Sequence, residues 1–524
     1  MGWQAQRKRI GWLQFAMVCI AGGAHAASMA WPFAWGAALG LQPGQPAGWL
    51  QLLALLLLVA QVDGSRSWQR AAWLGGLFAT AMLCGTFWWL YISMHDYGGL
   101  AAPLTVLAIV LLAALLALYY AAACGLFVAL APASRALRAM VFAALWLLAE
   151  LARVKFFTGF PWGEGGYAHV DGWARPLAAW VGVHGLSFLA ALLAAWLALC
   201  LRAAQIRWLS ALGLAAAGVV LAWLPQSSWL VEDRPAPPEA LALTLLQGNI
   251  PQNEKFETGT GVLTALNWYG EQLHGAKTSL VVAPETALPL LPQQLPEGYL
   301  QALQARFASG QQAALVGLPL GSYEAGYANA VVGLKPGASE PYRYDKHHLV
   351  PFGEFIPTGF RWFTNLMQIP LGDFNRGAVG QASFDWKGQR LAPNICYEDL
   401  FGEELGARFL DAAQAPTVFV NLSNIGWFGN TVAIDQHLQI SRMRALEFER
   451  PMIRATNTGA TVIIDHHGKV THELARHTRG VLVGEVAGRG GITPYAWWVS
   501  RWGLWPLWLG AAGLLLLGWL GRRR

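Results

Sequence analysis

The sequence predicts a two-part fold, a polytopic α-helical membrane domain of about eight spans joined to a layered α/β domain. Three observations carry that expectation. Hydrophobic residues make up 55% of the 524 and charged ones only 13%, against about 25% in soluble domains. Apolar stretches of membrane-crossing length fill residues 10–224 and recur at 503–520. Between them, after a polar and proline-rich break at 232–240, short β-branched runs alternate with helix-like stretches, the pattern of a layered α/β domain.

Taken in order, Arg7, Lys8 and Arg9 precede an apolar stretch from Ile10 to Ala30. It outruns the roughly 7–15-residue core of a signal peptide, and more spans follow, so it reads as an uncleaved first span. Further spans are expected at 46–62, 70–92, 103–130, 136–157, 178–201, 207–224 and 503–520. In this scheme Arg66, Arg70, Arg135, Arg138, Arg202, Arg207 and Arg522–Arg524 share the side of the N-terminal basic cluster, while the opposite loops hold only Arg153, Lys155 and Arg175. The positive-inside rule then puts both termini in the cytoplasm and the large α/β segment on the far side, the periplasm of a bacterium with a multi-pass protein in its inner membrane. The expected division is 1–227 membrane domain, 228–495 periplasmic domain, and 496–524 final span with a basic tail.

The formal charge of +6 is explained by these span ends, and no nucleic-acid surface is expected. One loop, Phe156–Trp173, is rich in glycine and aromatics. It reads either as an interfacial aromatic belt or as a surface shaping a lipid entrance, with Trp162 the residue of interest. In the α/β segment, strands are expected at 241–248, 279–284, 313–318, 328–333, 391–396, 416–421, 452–456, 461–465 and 480–486, and helices at 260–275, 297–309, 401–413 and 434–449. Residues 355–371 are too apolar for a solvated loop of that length. They read as a mobile lid that touches bilayer or acyl chain through Phe360, Trp362 and Phe363.

Five cysteines without paired spacing give neither a disulfide framework nor a zinc site. Cys19, Cys84, Cys124 and Cys200 lie in apolar segments, where a thiol behaves as a small hydrophobe. Cys396 alone closes an apolar run and is followed by carboxylates, in Ile395-Cys396-Tyr397-Glu398-Asp399. A nucleophilic thiol needs a group to take its proton and a donor for the oxyanion. Glu285, delivered by the apolar run at Val281 and Val282, and Lys346, followed by Glu354, can supply these. Singly, Cys396 reads equally as a buried strand cysteine, Glu285 as a helix cap and Lys346 as an ion-pair partner. Adjacent histidines at 347–348 and 466–467 cannot both face one metal from a strand, and no metal or cofactor is expected.

Together, PETALP around Glu285, DKHHLVPFGE from Asp345 to Glu354, ICYED around Cys396 and SNIGWFG from Ser423 to Gly429 resemble the motifs of the nitrilase, or carbon-nitrogen hydrolase, superfamily. With the membrane segments, the chain is similar to the apolipoprotein N-acyltransferase family. The resemblance implies an αββα sandwich and a Glu285-Lys346-Cys396 triad, with Glu285 as base and Lys346 and the Tyr397 N–H as oxyanion donors. It further implies that Glu354 positions the lysine or acts as an auxiliary acid-base, that Glu398 holds the loop behind the nucleophile, and that Asn329 lines the same pocket. Trp427 and Phe428 would flank the acyl pocket, and Phe256 stands where relatives often carry tryptophan. Ile425-Gly426 departs from the family's Asp-Ala.

The implied reaction takes an acyl chain from a phospholipid, phosphatidylethanolamine, onto Cys396 as a thioester. The chain then passes to the α-amino group of a diacylglyceryl-cysteine at an apolipoprotein's N-terminus. Two other readings were weighed. A membrane-tethered carbon-nitrogen hydrolase would give the acyl group to water, and free fatty acid against N-acyl peptide separates it. A transporter with an accessory domain is opposed by spans that hold few ionisable residues besides Glu150.

Overall fold

The computed structural model describes residues 11–202, 239–357, 359 and 373–522. Its first part is a helical bundle: α1 Trp12–Ala27, α2 Gly48–Asp63, α3 Trp68–Phe87, α4 Ala102–Leu130, α5 Arg135–Lys155 and α6 Ala178–Arg202. Each expected span inside the described residues falls on a helix, whereas 207–224 lies outside them. Among the described residues, by length and composition alone, the helices at Ala102–Leu130 and Arg175–Leu201 suffice to cross a membrane. A third would be the C-terminal pair Pro494–Trp502 and Trp505–Gly521, bent by 90° at its break. The count of eight is not reproduced on these criteria, because α1 and α2 are 16 residues long and α5 carries Arg138, Glu150 and Arg153 within it.

The α/β part contains two six-stranded sheets. The first uses β1 Leu241–Gln247, β2 Leu280–Val282, β3 Ala313–Ser322, β4 Gly326–Leu334 and β5 Tyr342–Asp345. The second uses β6 Phe384–Trp386, β7 Gln389–Ile395, β8 Val418–Ser423, β9 Met452–Thr456, β10 Val462–Ile464 and β11 Val470–Glu473. The last strand, β12 Gly480–Val486, returns to pair antiparallel with β1 in the first sheet. Strands β5, β6 and β11 escape the sequence reading because each is a short edge strand carrying charged residues, without the apolar run that marks β2 and β10.

Alternation sets the layers. In β8, Val418, Val420 and Leu422 point between the sheets, where they meet Leu243, Leu245 and Val282 of the first sheet. The outer face of the first sheet, through Leu246, Val281 and Val316, packs on α7 Gly261–Gly275 and α8 Tyr299–Ala308. After β7 come the short α9 Gly402–Gly406 and then α10 Val432–Phe448, whose first turn is capped by the Thr431 hydroxyl accepting from the Ala433 N–H. Phe419 and Met452 of the second sheet share one core with Ile440 and Met443 of α10 and with the helical bundle. The order helix, sheet, sheet, helix is thus present, and α10 is covered again from outside.

The C-terminal helices, α11 Pro494–Trp502 and α12 Trp505–Gly521, bring the chain back to the bundle. Gly182, with φ +65°, lets α6 pass against the ring of Tyr495, and a Cβ there would come within 2.3 Å of it. On α12, Gly518 meets Val141 of α5.

Candidate active site

Parallel pairing of β1, β2 and β3, and of β7, β8 and β9, brings strand carboxyl ends together, the usual location of sites in α/β sheets. Glu285 follows β2. Its main chain runs so close to β3 that an alanine at Gly317 would meet the Pro284 carbonyl at 2.3 Å. Lys346 follows β5, with its N–H on the Asn329 carbonyl at 2.8 Å. Cys396 opens a 3-10 turn, Cys396–Leu400, directly after β7 and has φ +51°. That left-handed conformation is strained for a side-chain-bearing residue.

Lys346 is buried, and its ammonium lies 3.3 Å from Glu285 Oε1 and 2.9 Å from Glu354. Asn329 Nδ2 donates to the same two acids, at 2.7 and 2.8 Å. The second Glu285 oxygen accepts from the Asn424 N–H at 2.8 Å, and that of Glu354 from Val350 N–H at 2.8 Å. Burial pulls the Lys346 ammonium down, but the Glu354 and Glu285 carboxylates outweigh it and raise its pKa overall, so the lysine is a fixed cation. Burial pushes the Cys396 thiol up to about 12; Glu285 adds to the rise, while Lys346 and a hydrogen bond from Ser423 oppose it. The resting group is therefore the protonated thiol, and for it to attack a carbonyl a base would have to take its proton.

Glu398 holds the turn behind the nucleophile. It accepts from the Ile395 N–H at 2.6 Å, from those of His347 and His348 at 2.7 and 3.2 Å, and from the Tyr344 hydroxyl at 2.8 Å. One carboxylate therefore ties the lysine segment to the cysteine segment. Deeper lies a cluster that sequence reasoning missed. His437 Nε2 lies 2.9 Å from Asp399 Oδ1 and 3.3 Å from the Cys396 carbonyl, and Arg454 reaches both His437 Nδ1, at 3.1 Å, and Asp399. Burial opposes the Asp399 charge, but His437 and Arg454 hold its pKa low. Lys255 was missed as well. It is buried beside Glu285, with its ammonium on the Glu285 carbonyl.

The other expected residues scatter. Tyr397 stays in the Cys396 turn, where its main-chain N–H was expected to act, while its hydroxyl donates to the Gly159 carbonyl at 3.1 Å. Phe428 sits on Trp89, with ring centroids 4.2 Å apart, and Trp427 is partly exposed with its edge on Tyr97. Phe256 is exposed. Phe360, Trp362 and Phe363, and nearly all of the expected lid, lie outside the described residues. Trp162 is on no lipid-facing surface: it is buried, donates to Gln436 Oε1 of α10 at 2.8 Å and packs on Trp89. Its loop folds back into the bundle because Arg153, expected in a connecting loop, is itself buried on α5 and donates to the carbonyls of Phe160 and Trp162. Among the described residues no cluster of three His, Cys, Asp or Glu is placed to hold a metal.

The arrangement can do acyl transfer: a thiol, a carboxylate base and a fixed cation meet at a strained turn. Comparison with known proteins agrees. The apolipoprotein N-acyltransferase N-terminal domain matches residues 34–196, and the carbon-nitrogen hydrolase family matches 243–493. An apolipoprotein N-acyltransferase of Verminephrobacter eiseniae is 61% identical, covering 94% of this chain and 93% of its own. One of Ralstonia nicotianae is 44% identical over 91% of this chain and 90% of its own. Among solved structures, a carbon-nitrogen hydrolase from Helicobacter pylori G27 aligns at 19% identity and a TM-score of 0.35, covering 52% of this chain and 94% of that one.

Proposed function

The chain belongs to the apolipoprotein N-acyltransferase family, and on that premise we propose that it moves a fatty acyl chain from a phospholipid to the α-amino group of an apolipoprotein's N-terminal diacylglyceryl-cysteine. Cys396 Sγ attacks the ester carbonyl while Glu285 takes the thiol proton, and Lys346 carries the charge that develops on the carbonyl oxygen. The C–O bond breaks, the proton passes from Glu285 to the leaving alkoxide, and lysophospholipid departs from a thioester. The acceptor's neutral amine then attacks the thioester, Glu285 takes the ammonium proton and returns it to sulfur, and the amide is released. Asn329 and Glu354 act through Lys346 and Glu285, as positioning residues.

The single observation that carries this reading is the hydrogen-bonded set of Glu285, Asn329, Lys346 and Glu354 beside a cysteine strained at the end of β7. In the same reading the helices form about eight spans of a bacterial inner membrane, both termini are cytoplasmic, and the α/β part stands in the periplasm with phosphatidylethanolamine as donor. Trp427, Phe428 and Phe256 border the acyl chain, and residues 355–371 cover it.

The test is mass spectrometry of the purified protein after exposure to phospholipid alone. A single hydroxylamine-labile acyl group on Cys396 is expected, absent from Cys396→Ala, and transferred to a diacylglyceryl peptide added afterwards. Release only as free fatty acid would make the protein a hydrolase, and full N-acyl transfer by Cys396→Ala would overturn the mechanism.

A further inference from the structure

Beside the triad lie buried polar side chains that the chemistry above does not use. Lys255 follows β1 on a turn closed by its own N–H on the Pro251 carbonyl at 2.9 Å. It is 2% exposed, and its ammonium donates to the main-chain carbonyl of Glu285 at 3.2 Å. Among the described residues no carboxylate lies within ion-pair distance of it, since both Glu285 oxygens are taken up by Lys346, Asn329 and the Asn424 N–H. A buried ammonium has three donors and needs compensating acceptors, and one carbonyl supplies one.

Gln252, on the same turn, is 6% exposed. Its Oε1 accepts from Asn424 Nδ2 at 2.9 Å, which leaves its amide donors facing elsewhere, and Nε2 has no partner among the described residues. The hydroxyl of Thr458, 5% exposed, has none either. Gln252 and Thr458 flank Gly426, where a Cβ would meet three oxygens, Gln252 Oε1 at 3.1 Å, Asn424 Oδ1 at 3.3 Å and Thr458 Oγ1 at 3.5 Å. The donors left without a partner among the described residues, on the Lys255 ammonium, Gln252 Nε2 and the Thr458 hydroxyl, have their complement in a group of several oxygens bearing negative charge.

We propose that Lys255, Gln252 and Thr458 form a phosphodiester subsite of the donor pocket. This rests on the phospholipid reading above and deepens it by assigning the head-group side to named atoms. In a phospholipid the phosphodiester hangs on the same glycerol as the ester, so a cation next to the base meets it when the ester carbonyl faces the thiol. The exposed ring of Phe256, its centroid 6.0 Å from the Lys255 ammonium, supplies an apolar edge on which glycerol and chain can lie.

The experiment follows thioester formation on full-length protein from two donors with identical chains, phosphatidylethanolamine and diacylglycerol, which lacks the phosphodiester. Lys255→Met should lower kcat/KM for phosphatidylethanolamine at least tenfold and erase most of the preference over diacylglycerol. Lys255→Arg should keep that preference, and Gln252→Met should weaken it in part. Equal proportional losses on both donors, or an unchanged preference, would overturn the subsite. Inorganic phosphate distinguishes the source. Inhibition of wild-type acylation that Lys255→Met no longer shows marks a site open to free phosphate, whereas a lost preference without inhibition marks one reading only lipid-borne phosphodiester. If wild-type protein forms a thioester from diacylglycerol but from no phospholipid, the donor reading falls, and the subsite with it.

Discussion

At the scale of single residues, Glu285 pulls on the nucleophile in two directions. Its carboxylate raises the Cys396 thiol, yet in the mechanism proposed above it accepts the thiol proton in the transition state. Glu285→Gln should therefore make Cys396 more reactive toward iodoacetamide at pH 9, by several-fold, while slowing thioester formation from donor by about 10²–10⁴. Both rates come from intact-mass measurements on one sample, and loss of both together would deny Glu285 the role of base. Lys255 gives a pH prediction. Burial brings its ammonium down to about 8, against the opposing pull of Glu285. A cation's hold on an anion is complete below that value and fades as pH rises through it. Preference for the phosphodiester donor should thus fall above pH 8, and Lys255→Arg should postpone the fall. That Glu285, Lys346 and Cys396 would lie together was legible in the sequence because each sits inside a local motif. Lys255, His437 and Asp399 were not, because their partners lie on other strands and helices.

At the scale of elements, α10 and the loop around Trp162 are one joint. Gln436 of α10 accepts from the indoles of Trp89 and Trp162 at 3.0 and 2.8 Å and donates to the Thr86 carbonyl at 3.0 Å. Gln436→Met keeps the volume and removes all three bonds. Buried groups left unpaired cost about 1–3 kcal/mol each, so the thermal midpoint should drop by roughly 5 °C or more, with donor acylation slowed. An unchanged midpoint in a differential scan would mean that these bonds do not join the two parts. The sequence showed an aromatic, glycine-rich loop in the right place but not its direction. Nothing near Trp162 in the chain announces a glutamine on α10 as its partner. The same limit applies to α10 itself, whose period was readable although its second buried face was not.

At the scale of the molecule, the α/β part depends on the bundle for a wall. Helix α10 is buried along nearly its whole length, between the second sheet and the helices. Residues 239–495 expressed alone should expose an apolar and ion-bearing face and elute from size exclusion as aggregate, where the whole protein in detergent gives one species. A monomeric, folded fragment would show that the bundle is only an anchor. The α/β character of the second part was legible from its alternating strand-like and helix-like runs, its two sheets only through the family resemblance. The number of spans was not, because helices such as α5 bury charges against neighbours that hydropathy cannot see.

The contact of Gly518 with Val141 also fixes an order of events. During synthesis, α5 emerges long before α12, and every strand of the α/β part is made in between. The flank of α5 that receives α12 therefore stays uncovered by it until every strand has been made. A chain stopped before Trp505 would carry Glu285, Lys346 and Cys396 on a bundle whose α5 still lacks that neighbour.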